Sequence, residues 1–138
     1  MTTMAGGTLR QAAARDVMQV QVLTVAAEMT VPELAQTLLE GGVRSAPVVD
    51  GTGRVLGLAS QADVTRVAFA PAAAGAAPLR VRDLVRPDAP TVDPDEPLPG
   101  LVRLFLRGGA PQALVVHNGM LLGIVTPMDV LRALDDDD

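Results

Sequence analysis

Gly123-Ile124-Val125-Thr126-Pro127-Met128-Asp129 decides the fold, because Gly57-Leu58-Ala59-Ser60-Gln61-Ala62-Asp63 has the same form earlier in the chain. Each string is a glycine, a short strand segment ending in a hydroxyl residue, and an aspartate three positions later. An apolar run that hands over to Ser or Thr reads as a strand ending at a helix N-cap. Pro127 then falls at the first helical position, where its missing N–H is no loss. The aspartate falls at the third, where a capping box carries Glu or Gln. A hydroxyl and a carboxylate at a helix N-terminus could also hold a nucleotide, but one copy alone favours the capping reading.

Upstream of the first copy, Ala46–Val49 and Val55–Ala59 read as strands joined by a tight turn at Asp50-Gly51-Thr52-Gly53. Thr30-Val31-Pro32-Glu33 is a capping box with proline in the first turn. The helix it opens should bury Leu34, Ala35, Leu38 and Leu39 and end at Gly41-Gly42. Val20–Val25 reads as a strand, and Leu9–Met18 as a short helix after a small, polar Met1–Gly7. The helix capped by Ser60 should run to about Phe69. The order is β-α-β-β-α.

After the low-complexity stretch Pro71–Pro78 the pattern starts again. Arg15-Asp16 recurs as Arg82-Asp83, Thr24-Val25 as Thr91-Val92, and Gly41-Gly42 as Gly108-Gly109, each 67 positions on. Beyond the hairpin the step falls to 66, because the turn His117-Asn118-Gly119 is one residue shorter. A deletion confined to a turn is what a duplicated unit tolerates. In the second copy a helix should begin near Leu98, with Leu101, Phe105 and Leu106 as its apolar face. Pro97 and Gly100 stand where Thr30 and Glu33 stood, so its capping box is lost, and Asp93–Glu96 offers an acidic turn instead. The expected divisions are a lead-in at 1–14, repeat one at 15–70, a linker at 71–80, repeat two at 81–134, and an acidic tail at 135–138. Negative charge at the carbonyl end of a helix is unfavourable, so Asp135–Asp138 read as a frayed tail in preference to a cation site.

Hydrophobic residues make up 49% of the 138-residue chain, with Phe69 and Phe105 as its two aromatics, so the core must be aliphatic. The eleven basic residues are all arginine and the formal charge is −5. That charge, with no Tyr or Trp to stack on bases, argues against nucleic acid as a partner. The absence of cysteine excludes disulfides and thiolate metal sites and suits a reducing cytoplasm. The apolar run Val67–Leu79 is broken by Pro71, Gly75 and Pro78, so no membrane span is expected, and no signal-peptide pattern is read at the N-terminus. His117 lies in an expected turn, and no nucleophile–base pair, metal-ligand cluster or glycine-rich phosphate loop is present, so catalysis is not expected.

The duplicated unit, with Ala46-Pro47-Val48-Val49-Asp50, a hairpin, and then the glycine-to-aspartate string, resembles the CBS (cystathionine β-synthase) domain over roughly Arg15–Leu134. Two in tandem resemble a CBS pair, or Bateman module. The resemblance implies an α+β fold in which each repeat is a small mixed sheet with two helices, packed pseudo-symmetrically on its copy. It also implies clefts between the repeats that take AMP, ADP, ATP or S-adenosylmethionine, homodimers, and regulation of a partner protein. On that pattern Asp63 and Asp129 hold ribose hydroxyls, while Ser60, Thr126, Arg44 and Ser45 meet ribose or phosphate. Met18, Val20, Val22, Leu23, Val43, Ala46 and Ile124 would line adenine near Asp129. Val85, Pro87, Ala89, Ala110, Gln112 and Leu58 would line it near Asp63.

The second copy departs from the family at Leu114, where the first has Pro47, and has Pro111 and Gln112 where the first offers basic Arg44. Arg44 either meets a phosphate or pairs with a surface acid. A single candidate phosphate partner favours AMP-like or uncharged adenosyl ligands over ATP. The expected function is therefore a non-enzymatic regulatory module, needing no cofactor or metal, that senses an adenosyl ligand. The alternative is a ligand-free structural or dimerisation module.

Overall fold

A computed structural model describes residues 11–68, 75 and 77–136. Phe69, most of the Pro71–Pro78 linker, Met1–Arg10 and the last two aspartates lie outside the described residues, and so do the expectations placed on them.

The chain forms two compact units, one containing Leu23–Ala89 and the other the residues up to Val22 and from Pro90 onward. In the first, β1 (Val25–Ala26) leads through α2 (Val31–Gly41) to β2 (Ser45–Val49), β3 (Val55–Ser60) and α3 (Gln61–Ala68). A 3-10 turn at Val81–Asp83 closes it. In the second, the short α1 (Ala14–Val17) precedes β4 (Thr91–Val92), α4 (Leu98–Gly108), β5 (Ala113–His117), β6 (Met120–Val125) and α5 (Pro127–Asp136). Both sheets are mixed: β1 runs parallel to β2 and β2 antiparallel to β3, and β4, β5 and β6 repeat that order. Each hairpin also shifts register at the same repeat position, after Val48 and after Val115.

Local chemistry accounts for the element ends. Thr30 caps α2 through its Oγ1, which accepts the Glu33 N–H at 3.3 Å, while the Glu33 carboxylate accepts the Thr30 N–H at 2.9 Å. Gly42 and Gly109 take φ values of 64° and 63° and end α2 and α4 in the left-handed region. Pro97 supplies no side-chain cap to α4, as its sequence foretold. Val25, Leu34, Leu38, Ala46, Val48, Ala59 and Val81 form one aliphatic core. Ala14, Leu98, Leu101, Val115, Val125 and Val130 form the other.

Several expectations are corrected. The Val20–Val25 strand shrinks to Val25–Ala26, because only that end reaches a neighbour, Val48–Val49 of β2. The Leu9–Met18 helix is, over its described part, a single turn at Ala14–Val17, preceded by an extended Ala13 that bridges Pro97. Leu39 and Leu106 are not in the apolar faces of their helices: they are 82% and 79% exposed. One residue along a helix is a rotation of about 100°, which carries each off the buried stripe. His117 ends β5 opposite Met120, and the turn is Asn118-Gly119, both at positive φ. Finally, α5 continues through Asp136, into the stretch read as a frayed tail.

Candidate functional site

Each signature aspartate is buried where its strand hands over to a helix: Asp63 is 1% exposed and Asp129 5%. Asp63 Oδ2 accepts the Ser60 N–H at 3.2 Å and the Ser60 hydroxyl at 2.8 Å, and the Asp63 N–H donates back to Ser60 Oγ at 3.2 Å. Asp129 Oδ2 does the same with Thr126, accepting its N–H at 2.8 Å and its hydroxyl at 3.0 Å. This is the capping box with aspartate in the acidic place, built twice.

The other carboxylate oxygen is held from further off in sequence. Arg86 donates to Asp63 Oδ1 from Nε at 2.9 Å and Nη2 at 2.8 Å, and Arg66 from Nη1 at 3.1 Å. At Asp129 Oδ1 the donors are Gln19 Nε2 and Arg132 Nη1, both at 2.9 Å. Gln19 precedes the first repeat's sheet yet serves the second repeat's carboxylate. Arg86, 67 positions later, does the converse.

Backbone pairing puts these donors there. Arg86 and Leu58 exchange N–H···O bonds at 2.8 and 3.1 Å, and Gln19 and Ile124 do so at 2.8 and 3.0 Å. The signature glycine permits the crossing. A β-carbon on Gly57, whose φ is 148°, would collide with the Arg86 carbonyl, and one on Gly123 would stand 2.6 Å from the Gln19 carbonyl oxygen. The crossing segments also feed the cores: Val81, Leu84 and Val85 pack with the first repeat, and Ala14, Val17 and Met18 with the second.

Burial alone would raise the Asp63 carboxyl. Hydrogen bonds from Arg86, Ser60 and Arg66, together with the Arg86 charge, outweigh it, so the group lies below its ordinary 3.8. Arg86 is raised in turn by its hydrogen bond to Asp63 and by that carboxylate's charge. Asp63 is therefore an ionised acceptor near neutral pH. Beside Asp129 and Arg132, a cavity of about 170 Å³ is completed by Asp16, Val17 and Ala133. It is smaller than the roughly 300–1,000 Å³ that usually encloses a whole small ligand.

The candidate residues from sequence divide between the units. Ser60, Asp63, Leu58 and Val85 come together, and Ser45 pairs with Ser60 across the sheet while the Arg44 carbonyl accepts the Gln61 N–H at 2.8 Å. Leu23, Val43, Pro87 and Ala89 belong to the same unit. Met18, Ile124, Thr126 and Asp129 come together in the other unit, to which Val20, Val22, Ala110 and Gln112 also belong. Ala46 is corrected: its side chain is wholly enclosed in the core and offers no surface to adenine. Arg44 is also no longer the sole candidate phosphate partner, since Arg66, Arg86 and Arg132 gather at the carboxylates. These three and Gln19 are not among the candidates read from sequence, although the 67-residue step before the hairpin matches Gln19 with Arg86 and the 66-residue step beyond it matches Arg66 with Arg132. Among the described residues, no cluster of three or more His, Cys, Asp or Glu side chains could hold a metal ion. No helix among them is long and apolar enough to cross a membrane.

Comparison with known proteins places this geometry among relatives. A family model described as the CBS domain matches residues 14–70 and again 81–136. The chain is 27% identical over 123 residues to the uncharacterized protein MJ1225 of Methanocaldococcus jannaschii, covering 89% of this chain and 43% of that protein. The chain thus spans less than half of that relative's length. Among solved structures, CBSX2 in complex with AMP superposes with a TM-score of 0.77 at 24% identity, covering 91% of this chain and 97% of CBSX2. The CBS domain pair of protein MJ0100, in complex with 5′-methylthioadenosine and S-adenosyl-L-methionine, gives 0.73 at 19% identity, with 92% and 98% covered.

Proposed function

Since the chain belongs to the CBS-domain family, with both of its repeats matched, we propose that it is a non-enzymatic regulatory module whose Asp63 and Asp129 clusters bind an adenosyl ligand. One observation carries this reading: each cluster joins a carboxylate from one sequence repeat to a donor from the other, Arg86 to Asp63 and Gln19 to Asp129. A ribose that takes Oδ1 of either aspartate accepts the role those donors now fill, since a carboxylate receives hydroxyl hydrogen bonds readily. Binding then acts on a segment of the opposite repeat. A ligand that favours one arrangement of that segment shifts the population toward it, and a partner protein can read the change. The ligands seen with CBSX2 and MJ0100 support the adenosyl class. Homodimerisation and a cytoplasmic setting belong to the same proposal.

A second reading has its own support. Both oxygens of both carboxylates are engaged by the protein's own donors, and Leu39 and Leu106 are exposed on α2 and α4. A ligand-free dimerisation module would look like this too. Thermal unfolding with AMP, S-adenosylmethionine and 5′-methylthioadenosine separates the two. A ligand at a hundred times its dissociation constant adds about 2.7 kcal/mol and raises the midpoint. No rise with any of the three, in a protein that sediments as a dimer, supports the second reading.

A further inference from the structure

The two carboxylates are equivalent by sequence, and the donors to their Oδ1 atoms differ at one repeat position. Gln19 and Arg86 sit on matching segments, each two-fold hydrogen-bonded to the residue after a signature glycine. Arg66 and Arg132 match as well, each reaching the aspartate three residues before it. Asp63 thus faces two guanidinium groups, while Asp129 faces one guanidinium and a neutral amide. Within hydrogen-bonding distance, the first cluster has an excess of positive charge and the second is balanced. Beyond that distance, Asp88 also acts on Arg86. The two guanidinium groups at Asp63 are accessible, with side chains 60% and 55% exposed.

A ribose on Asp63 Oδ1 would release both guanidinium groups beside itself. Two planar donor forks next to a ribose match a phosphate attached to that sugar. At Asp129 the corresponding ribose releases one guanidinium and an amide, and an amide confers no preference for charge.

We propose that the Asp63 cluster prefers 5′-phosphorylated over uncharged adenosyl ligands more strongly than the Asp129 cluster does, the residue at the position shared by Gln19 and Arg86 setting the difference. This rests on the adenosyl-binding reading above. The test is calorimetric titration of the full chain with AMP and with 5′-methylthioadenosine, in the wild type, Arg86→Gln and Gln19→Arg. Both substitutions fall on exposed side chains.

Arg86→Gln should weaken AMP about tenfold more than 5′-methylthioadenosine, the scale of one charge-assisted hydrogen bond. Gln19→Arg should improve AMP at the other site by a similar factor. Binding in which Arg86→Gln alters both ligands equally, or neither, overturns the selectivity and leaves the adenosyl reading standing. A wild type that binds neither compound overturns both.

Discussion

Replacing Gly57 by alanine tests the crossing of segments from which both clusters are built. A β-carbon there meets the Arg86 carbonyl, which is backbone and cannot rotate away, and φ at this residue is 148°. Holding an L-residue in such a conformation costs about 1–3 kcal/mol. Forcing an extra carbon into a packed contact costs another 1–3 kcal/mol or so. If the Arg86 segment instead moves off, the paired Leu58–Arg86 hydrogen bonds are lost, at roughly 0.5–1.5 kcal/mol each. Either way the expected loss is about 2–6 kcal/mol, a large share of the roughly 5–15 kcal/mol that holds a domain folded. The assay is urea unfolding followed by circular dichroism, with the loss read from the midpoint at unchanged slope. Gly51→Ala is the control, since nothing lies within 4 Å of a β-carbon placed there. A Gly57→Ala loss below about 1 kcal/mol would refute the claim that Arg86 backbone is tightly applied to this strand.

Acid should act through Asp63. Its carboxyl lies below 3.8 in the folded chain, so its stabilising contribution is full above the unfolded value and fades as pH falls through the folded one. In melting curves from pH 6 to pH 3, Asp63→Asn should be less stable than the wild type at pH 6, and the gap should narrow progressively as pH falls below about 4; a constant gap would count against this. Leu34→Ala and Leu101→Ala, at wholly buried positions, should each cost about 2–5 kcal/mol in chemical unfolding. Leu39→Ser, at a position 82% exposed, should cost within about 0.5 kcal/mol for the unassociated chain. If α2 takes part in self-association, the same Leu39→Ser substitution should lower the sedimenting mass at fixed concentration.

The hairpins, helix caps and helix stops were legible because they depend on contacts within a few residues. Thr30 with Glu33, Ser60 with Asp63, and the left-handed glycines Gly42 and Gly109 all announce themselves in the string. The Val20–Val25 segment did not, since an apolar, β-branched run shows strand propensity without naming a partner, and only Val25–Ala26 finds one. The exchange of segments was implied only by the family resemblance, which set Met18 and Val20 near Asp129 and Val85 near Asp63; periodicity says which face is apolar, not what covers it. Leu39 illustrates how adjacency to a buried residue misleads on a helix, where the next position faces elsewhere. Gln19 and Arg86 are matched by the 67-residue step, but a polar residue within an apolar stretch does not show in the string which carboxylate it will meet.

Isothermal titration of the wild type, Asp63→Ala, Asp129→Ala and the double variant with AMP and 5′-methylthioadenosine tests the central claim most directly. Two bound ligands in the wild type, one in each single variant and none in the double variant are the expected result. Unchanged stoichiometry in all four proteins would show that the two carboxylates only cap helices and hold the crossing segments.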